Sequence, residues 1–184
     1  MSKLLNVSSS PHVRCGVSTK NLMYDVAIAM LPATIWGVMQ FGIYSLIVVV
    51  ATVLSCVLSE YLFETLMHKP VTISDGSALV TGMILGLNMP PAIPLWMPIL
   101  GGVFAIIVVK QLYGGLGQNW MNPALAARCF MLISFAQAMT KFTDPVTDAV
   151  ASATPLAAIK AGDTYDLAAM FIGKIPGTIG ETSV

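Results

Sequence analysis

Gly42-Ile-Tyr-Ser-Leu-Ile-Val-Val-Val-Ala-Thr-Val-Leu-Ser-Cys-Val-Leu-Ser-Glu60-Tyr-Leu-Phe-Glu64-Thr-Leu66 is an unbroken apolar run whose two charges, Glu60 and Glu64, both fall near its end. About 20 mostly apolar residues are enough for a helix to cross the hydrocarbon core of a bilayer. The run therefore reads as a membrane-spanning helix, with Ile47-Val-Val-Val50 at its heart. Glu60 and Glu64 are four residues apart and share one helix face. Lying near the predicted boundary, they read first as charges reaching for the interface, with a cation path as the alternative.

The rest of the chain agrees with this start. Hydrophobic residues make up 56% of the 184 and charged residues only 10%. A soluble domain carries about 25% charged residues, so this chain cannot cover itself with a solvated surface. The expected class is an all-α integral membrane protein: a multi-span bundle of about five helical segments, some short or broken, with the lipid bilayer as partner. Formal net charge is zero, so no nucleic-acid partner is expected. Cys15, Cys56 and Cys129 are far apart and lack Cys-x-x-Cys spacing. They read as three unrelated thiols, the alternative being a cluster shared with another protein of a complex.

The bundle is expected over residues 22–139. Residues 22–40 form the first apolar segment, with Pro32 tolerable where neighbours satisfy the freed carbonyl. Residues 77–87 are apolar but half the length of a span, and Asn88-Met-Pro-Pro-Ala-Ile-Pro94 then breaks them. Short, proline-interrupted segments point to broken helices around a binding site; a tilted span ending in a turn is the alternative. Gly82 and Gly86 have the spacing that permits close helix contact. Residues 95–109 form the next span, closed by Lys110. After Gly114-Gly-Leu-Gly117, Asn122 followed by Pro123 marks a helix start, and that helix is expected to run to about Met139.

Residues 1–21 read as a cytoplasmic segment, without the apolar core of a cleaved signal peptide. Lys3, Arg14, Lys20, Lys69 and Lys110 then all lie inside, as the positive-inside rule requires. Residues 140–176 fall outside the cytoplasm if residues 77–87 cross the membrane; a re-entrant segment there would reverse this. Residues 177–184, Gly-Thr-Ile-Gly-Glu-Thr-Ser-Val, read as the start of a further membrane element, so the chain is expected to be the front part of a longer protein.

The chemistry is sparse. His12 and His68 are the only histidines, and neither sits in a span as an axial haem ligand would. There is no phosphate-binding loop, dinucleotide fingerprint or Ser-His-Asp set. Asn119 and Asn122, with Trp120 between them, place two carboxamides at a helix start. Such a pair matches the donor/acceptor edge of a planar heterocycle, and Trp120 would stack on the ring. The plainer reading is a capped helix with an interfacial Trp. Thr154, in Asp148-Ala-Val-Ala-Ser152-Ala-Thr154-Pro-Leu, reads on pattern alone as a helix cap before Pro155, and alternatively as an accessible attachment point. Asp25, Glu60, Glu64, Asp75 and Glu181 are the carboxylates that a translocated cation could meet, by charge alone.

The Asp148–Leu156 stretch resembles the flavin-attachment motif of the RnfD/NqrB family, whose members belong to the Rnf electron-transport complex and to sodium-pumping NADH:quinone reductase. Asp75-Gly-Ser-Ala-Leu-Val-Thr-Gly82, Leu87-Asn-Met-Pro-Pro91, Gly114-Gly-Leu-Gly-Gln-Asn-Trp-Met-Asn-Pro-Ala124 and Gly177-Thr-Ile-Gly-Glu-Thr-Ser183 are similar to that family in the same order. The resemblance implies FMN joined through its phosphate to Thr154 by a separate flavin transferase acting outside the cytoplasm. Asp148 matches the attachment pattern, whereas Ala151 stands where a hydroxyl is usual and Ser152 where glycine is usual. It also implies a non-covalent riboflavin at Asn119 and Asn122, and a bundle of two internal repeats of which this chain holds the first. The implied role is an electron relay in a bacterial or archaeal inner-membrane complex, beside a second flavin-carrying subunit. Such a complex links ferredoxin oxidation and NAD reduction to Na⁺ or H⁺ translocation. A channel or permease is the alternative the broken helices leave open.

Overall fold

The computed structural model describes residues 16–143, 150–151, 160, 168, 171, 173 and 175–181. Two long helices come first, α1 (Thr19–Phe41) and α2 (Ile43–Leu66). Ser18 caps α1 by accepting from the Asn21 N–H. Gly42 alone separates the two helices at φ +81°, a conformation that glycine adopts without the clash a Cβ would bring. Both helices are long and apolar enough to cross a membrane.

The sidedness of α2 is that of a helix in lipid. Its buried stripe is Ser45, Val48, Val49, Thr52, Ser55, Cys56, Ser59, Glu60 and Glu64, while Ile43, Leu46, Ile47, Val50, Leu54, Leu58 and Leu62 are exposed. A water-soluble helix buries its apolar stripe. Here the small and polar side faces the protein and the large aliphatic side faces outward, as membrane helix interfaces do.

Three shorter helical pieces pack on this frame. A 3₁₀ turn (Ile73–Asp75) leads into α3 (Ser77–Leu87), with Asp75 Oδ1 accepting from the Ser77 N–H at 2.8 Å. At about 1.5 Å per residue, α3 is about 16 Å long, half of a bilayer core of about 30 Å. Nine of its eleven residues are buried, so it is an interior half-helix. The glycine spacing is what seats it: a Cβ on Gly82 would lie 2.6 Å from Val53 Cα, and one on Gly86 3.0 Å from Val49 Cα. The expected close approach is thus found, and its partner is α2.

The expected break after residue 87 is also present. Met89, Pro90, Pro91 and Ile93 are buried in a non-helical turn. The Ile179 and Gly180 N–H groups donate to the Met89 and Leu87 carbonyls at 3.1 and 2.8 Å. The Ile179 carbonyl also packs on Gly37 of α1. The stretch around Ile179 therefore satisfies backbone groups that the end of α3 leaves open, as buried irregular chain must.

The next segment starts as α4 (Trp96–Val103) and continues as a π-helical run (Phe104–Gln111). It extends two residues past the expected end at 109. Gly102 lets it approach α2, where Ser55 Oγ donates to the Ile99 carbonyl at 2.7 Å. Then come α5 (Pro123–Ser134) and a single turn, α6 (Ala136–Met139). The helix expected to run unbroken to Met139 is interrupted at Phe135, whose φ of −132° and ψ of 45° leave the helical region. Phe142–Thr143 (β1) pairs antiparallel with Val150–Ala151 (β2). The fold is nonetheless carried by helices, an all-α membrane bundle as the sequence indicates.

Candidate functional site

Glu60 and Glu64 correct the sequence reading. They are not interface charges reaching for water: they are 0% and 2% exposed, inside the bundle. Lys110, read as the surface charge that closes a span, is also only 2% exposed. Its Nζ donates to Glu60 Oε1 and to Ser77 Oγ, each at 2.5 Å. Gln111 Nε2 bridges the two carboxylates, 2.9 Å from Glu60 Oε1 and 3.2 Å from Glu64 Oε1. Glu64 in turn accepts from the Thr72 N–H at 2.9 Å and from Thr72 Oγ1 at 2.5 Å. Ser77 Oγ donates to Asp75 Oδ1 at 2.6 Å. The result is one polar chain from Asp75 through Lys110 to Thr72, in which Glu60 meets the ammonium directly while Asp75 and Glu64 join through Ser77 and Gln111.

The π winding explains why Lys110 and Gln111 both reach α2. A π turn holds more residues than an α turn, so successive side chains are separated by a smaller rotation. Two neighbours in sequence can then address Glu60 and Glu64, one turn apart on the facing helix. Burying charges this deep is tolerable only where they pair and hydrogen-bond. One atom is left out: Glu60 Oε2 is buried with no donor among the described residues. Of the other carboxylates first considered, Asp25 and Glu181 are exposed. No group of three or more His, Cys, Asp or Glu among the described residues is arranged to hold a metal ion.

The Asn119–Asn122 turn lies beside this network. Asn122 Oδ1 accepts from the Ala124 and Leu125 N–H groups at 3.0 and 3.4 Å, so the helix-cap reading holds. Asn119 Nδ2 donates to the Met121 carbonyl at 2.7 Å. Among the described residues each carboxamide thereby keeps one group without a partner: an acceptor at Asn119 Oδ1 and a donor at Asn122 Nδ2. Together they match adjacent N–H and C=O groups on a ring edge. The capping role and a ligand role are therefore compatible, because they use different atoms of Asn122.

Two cavities share Asn122. One of about 440 Å³ is lined by Phe104, Val108, Tyr113, Trp120, Leu125 and Cys129, among others, and is almost wholly apolar. The other, about 320 Å³, is bounded by Ser77, Thr81, Lys110, Asn119 and Asn122 with apolar Met23, Val80 and Ile84. Small-molecule sites typically run from about 300 to 1,000 Å³ and combine apolar walls with a few placed polar groups. Trp120, expected to stack on a ring, is 69% exposed and packs edge-on against Tyr113, with centroids 6.3 Å apart. It is one of the residues that line the larger cavity. Phe104, which also lines it, stacks on Phe130 with ring centroids 4.3 Å apart.

Thr154, Ser152 and Asp148 lie outside the described residues. The β1–β2 pairing brackets residues 144–149, so Asp148 falls in sequence between the two paired strands and Thr154 three residues beyond them.

Lys110, Gln111, Ser77 and Thr72 were not singled out from the sequence as site residues. The available signal was the pair of glutamates on one face of a membrane-length run, since charge inside a bundle implies a partner. Sequence spacing could not say which cation that partner is, because Lys110 lies fifty residues away.

Comparison with known proteins gives one consistent family. Residues 6–184 match the model of the NQR2, RnfD, RnfE family. The chain is 46% identical to the D component of the Na(+)-translocating ferredoxin:NAD(+) oxidoreductase complex of Acetobacterium woodii, over 97% of this chain and 58% of that protein. It is 41% identical to the D component of the proton-translocating ferredoxin:NAD(+) oxidoreductase complex of Clostridium ljungdahlii, over 98% and 59%. It is 31% identical to the D component of the ion-translocating oxidoreductase complex of Rhodobacter capsulatus, over 95% and 59%. The chain thus spans under two thirds of the length of these curated relatives. The match along nearly all of its own length, with broken helices closing on the residue 177–181 stretch, makes this chain a member of the NQR2, RnfD, RnfE family.

Proposed function

We propose that this chain is the flavin-bearing part of a protein that relays electrons within an ion-translocating ferredoxin:NAD oxidoreductase complex. Family membership supports the reading, as do relatives named as subunits of such complexes. Within the described residues, the observation that carries it is the Asn119–Asn122 pair, with one acceptor and one donor uncommitted beside two cavities. These residues would hold a non-covalent riboflavin by its imide edge, with the apolar cavity taking the hydrocarbon part of the ring system. A flavin there supplies one- and two-electron chemistry; the chain supplies position, a dry wall and nearby charge.

Thr154 would carry the second flavin as a phosphoester of FMN, added outside the cytoplasm by a flavin transferase. A tethered carrier does not dissociate, which suits a relay fixed in a membrane. Electrons would arrive from and leave to other subunits, one of them a second flavin carrier, while ferredoxin and NAD react elsewhere in the complex. The N-terminus would be cytoplasmic and the chain multi-pass. Among the described residues, Glu60 and Glu64 are the buried carboxylates that a translocated ion would meet. Relatives of similar identity are named for Na⁺ and for protons.

The test is in-gel flavin fluorescence after denaturation, with the full-length protein co-expressed with its transferase. Wild type should fluoresce and Thr154→Ala should not. Absence of fluorescence from wild type, or equal fluorescence from both, would refute the attachment.

A further inference from the structure

Lys110 belongs to both polar constellations. It is closed off from solvent by the bundle, yet it lines the 320 Å³ cavity that Asn119 and Asn122 border. An ammonium carries three donors. Two go to Glu60 Oε1 and Ser77 Oγ, and the third has no acceptor among the described residues. Glu60 Oε2 has no donor. The network therefore holds, among the described residues, one uncommitted donor and one uncommitted acceptor on the same charge pair, and Lys110 is one of the residues that line the 320 Å³ cavity. Leaving a buried charged group under-bonded is unfavourable, so a cavity molecule with a carbonyl acceptor would complete it.

We propose that Lys110 gives its third hydrogen bond to the molecule held at Asn119 and Asn122, and that Glu60, by competing for the same ammonium, sets how strongly that molecule is stabilised when reduced. This rests on the flavin reading above. Among the described residues the charged group bonded to Lys110 is Glu60 from α2, with Glu64 of α2 linked to Glu60 through Gln111 and Asp75, in the turn before α3, linked to Lys110 through Ser77; α1 and the start of α5 contribute Met23, Asn122 and Pro123 to the cavity. In a low-dielectric interior a nearby positive charge favours the electron-rich form of the ring. A carboxylate that holds the ammonium weakens that effect.

The readout is the midpoint potential of the non-covalent flavin in the purified complex, from a redox titration followed by visible absorbance. Glu60→Gln should raise the potential. Glu60→Gln combined with Lys110→Met should lower it below the Glu60→Gln value, and Lys110→Arg should stay near wild type. The double variant removes both charges, a change that buried pairs tolerate. Equal potentials in Glu60→Gln and the double variant would overturn the proposal, leaving Lys110 as a partner of Glu60 or of a bridging water. Asn122→Asp separates this failure from failure of the flavin reading. Retention of the non-covalent flavin in that variant would refute the site itself, whatever Lys110 does.

Discussion

The Glu60–Lys110 network and the Asn119–Asn122 turn border the same space, yet they are built in opposite ways. The first is assembled from four elements: α2, the 3₁₀ turn, the start of α3 and the π-helical run. Its groups are almost all committed to one another. The second is assembled from four consecutive residues before α5, and half of its polar groups are left over. The non-local cluster fixes charge inside the bundle; the local turn presents hydrogen bonds to a cavity. On the proposed reading, stability is concentrated in the first and ligand recognition in the second, with Lys110 as the residue that borders both.

Substitutions should separate these roles. The largest effect is expected for Lys110→Met alone, which leaves the Glu60 carboxylate buried without its cation. Breaking a buried pair in this way costs about 3–5 kcal/mol, and thermal unfolding in detergent should show it as a large loss of folded protein. Adding Glu60→Gln should recover most of the loss. A single variant as stable as wild type would mean that the pair does not support the fold.

Next is Gly82→Val. Its side chain would meet the Val53 backbone of α2, and overpacking of this kind costs about 1–3 kcal/mol. Because α3 carries Ser77, moving it should also disturb the Lys110 contact. Gly86→Ala, with more room, should cost less in the same unfolding assay. Asn122→Ala should cost about 1 kcal/mol through loss of the helix cap. Asn122→Asp keeps the capping oxygen and loses the outward donor. Its stability should match wild type while the extractable, non-covalent flavin disappears. Trp120→Ala should be smallest, within about 0.5 kcal/mol, because an exposed side chain away from the core contributes little.

What could be read in the chain follows the same division. The Gly82–Gly86 spacing, the Pro90–Pro94 break and the Asn122–Pro123 start are local signals, and each appears in the fold where residue chemistry places it. The misreadings involve partners distant in sequence. Glu60 and Glu64 lie near the end of an apolar run, where a bilayer boundary is the natural inference; burial comes instead from Lys110 and Gln111, brought in by another helix. Lys110 itself ends an apolar run and so has the sequence setting of a flanking surface charge. Its π-helical winding, which turns it toward α2, leaves no spacing signature in Phe104–Gln111. The interruption at Phe135 likewise has no glycine or proline to announce it. The reading of Thr154 as an attachment point comes from resemblance alone, and Thr154 lies outside the described residues.

The claim that this protein is a flavin carrier is tested most directly by the intact mass of the full-length chain, purified after co-expression with its flavin transferase. The account predicts a wild-type chain heavier than its sequence by one phosphoester-linked FMN, and a Thr154→Ala chain at the sequence mass. A wild-type chain at the unmodified mass, or a Thr154→Ala chain still carrying the adduct, would contradict it.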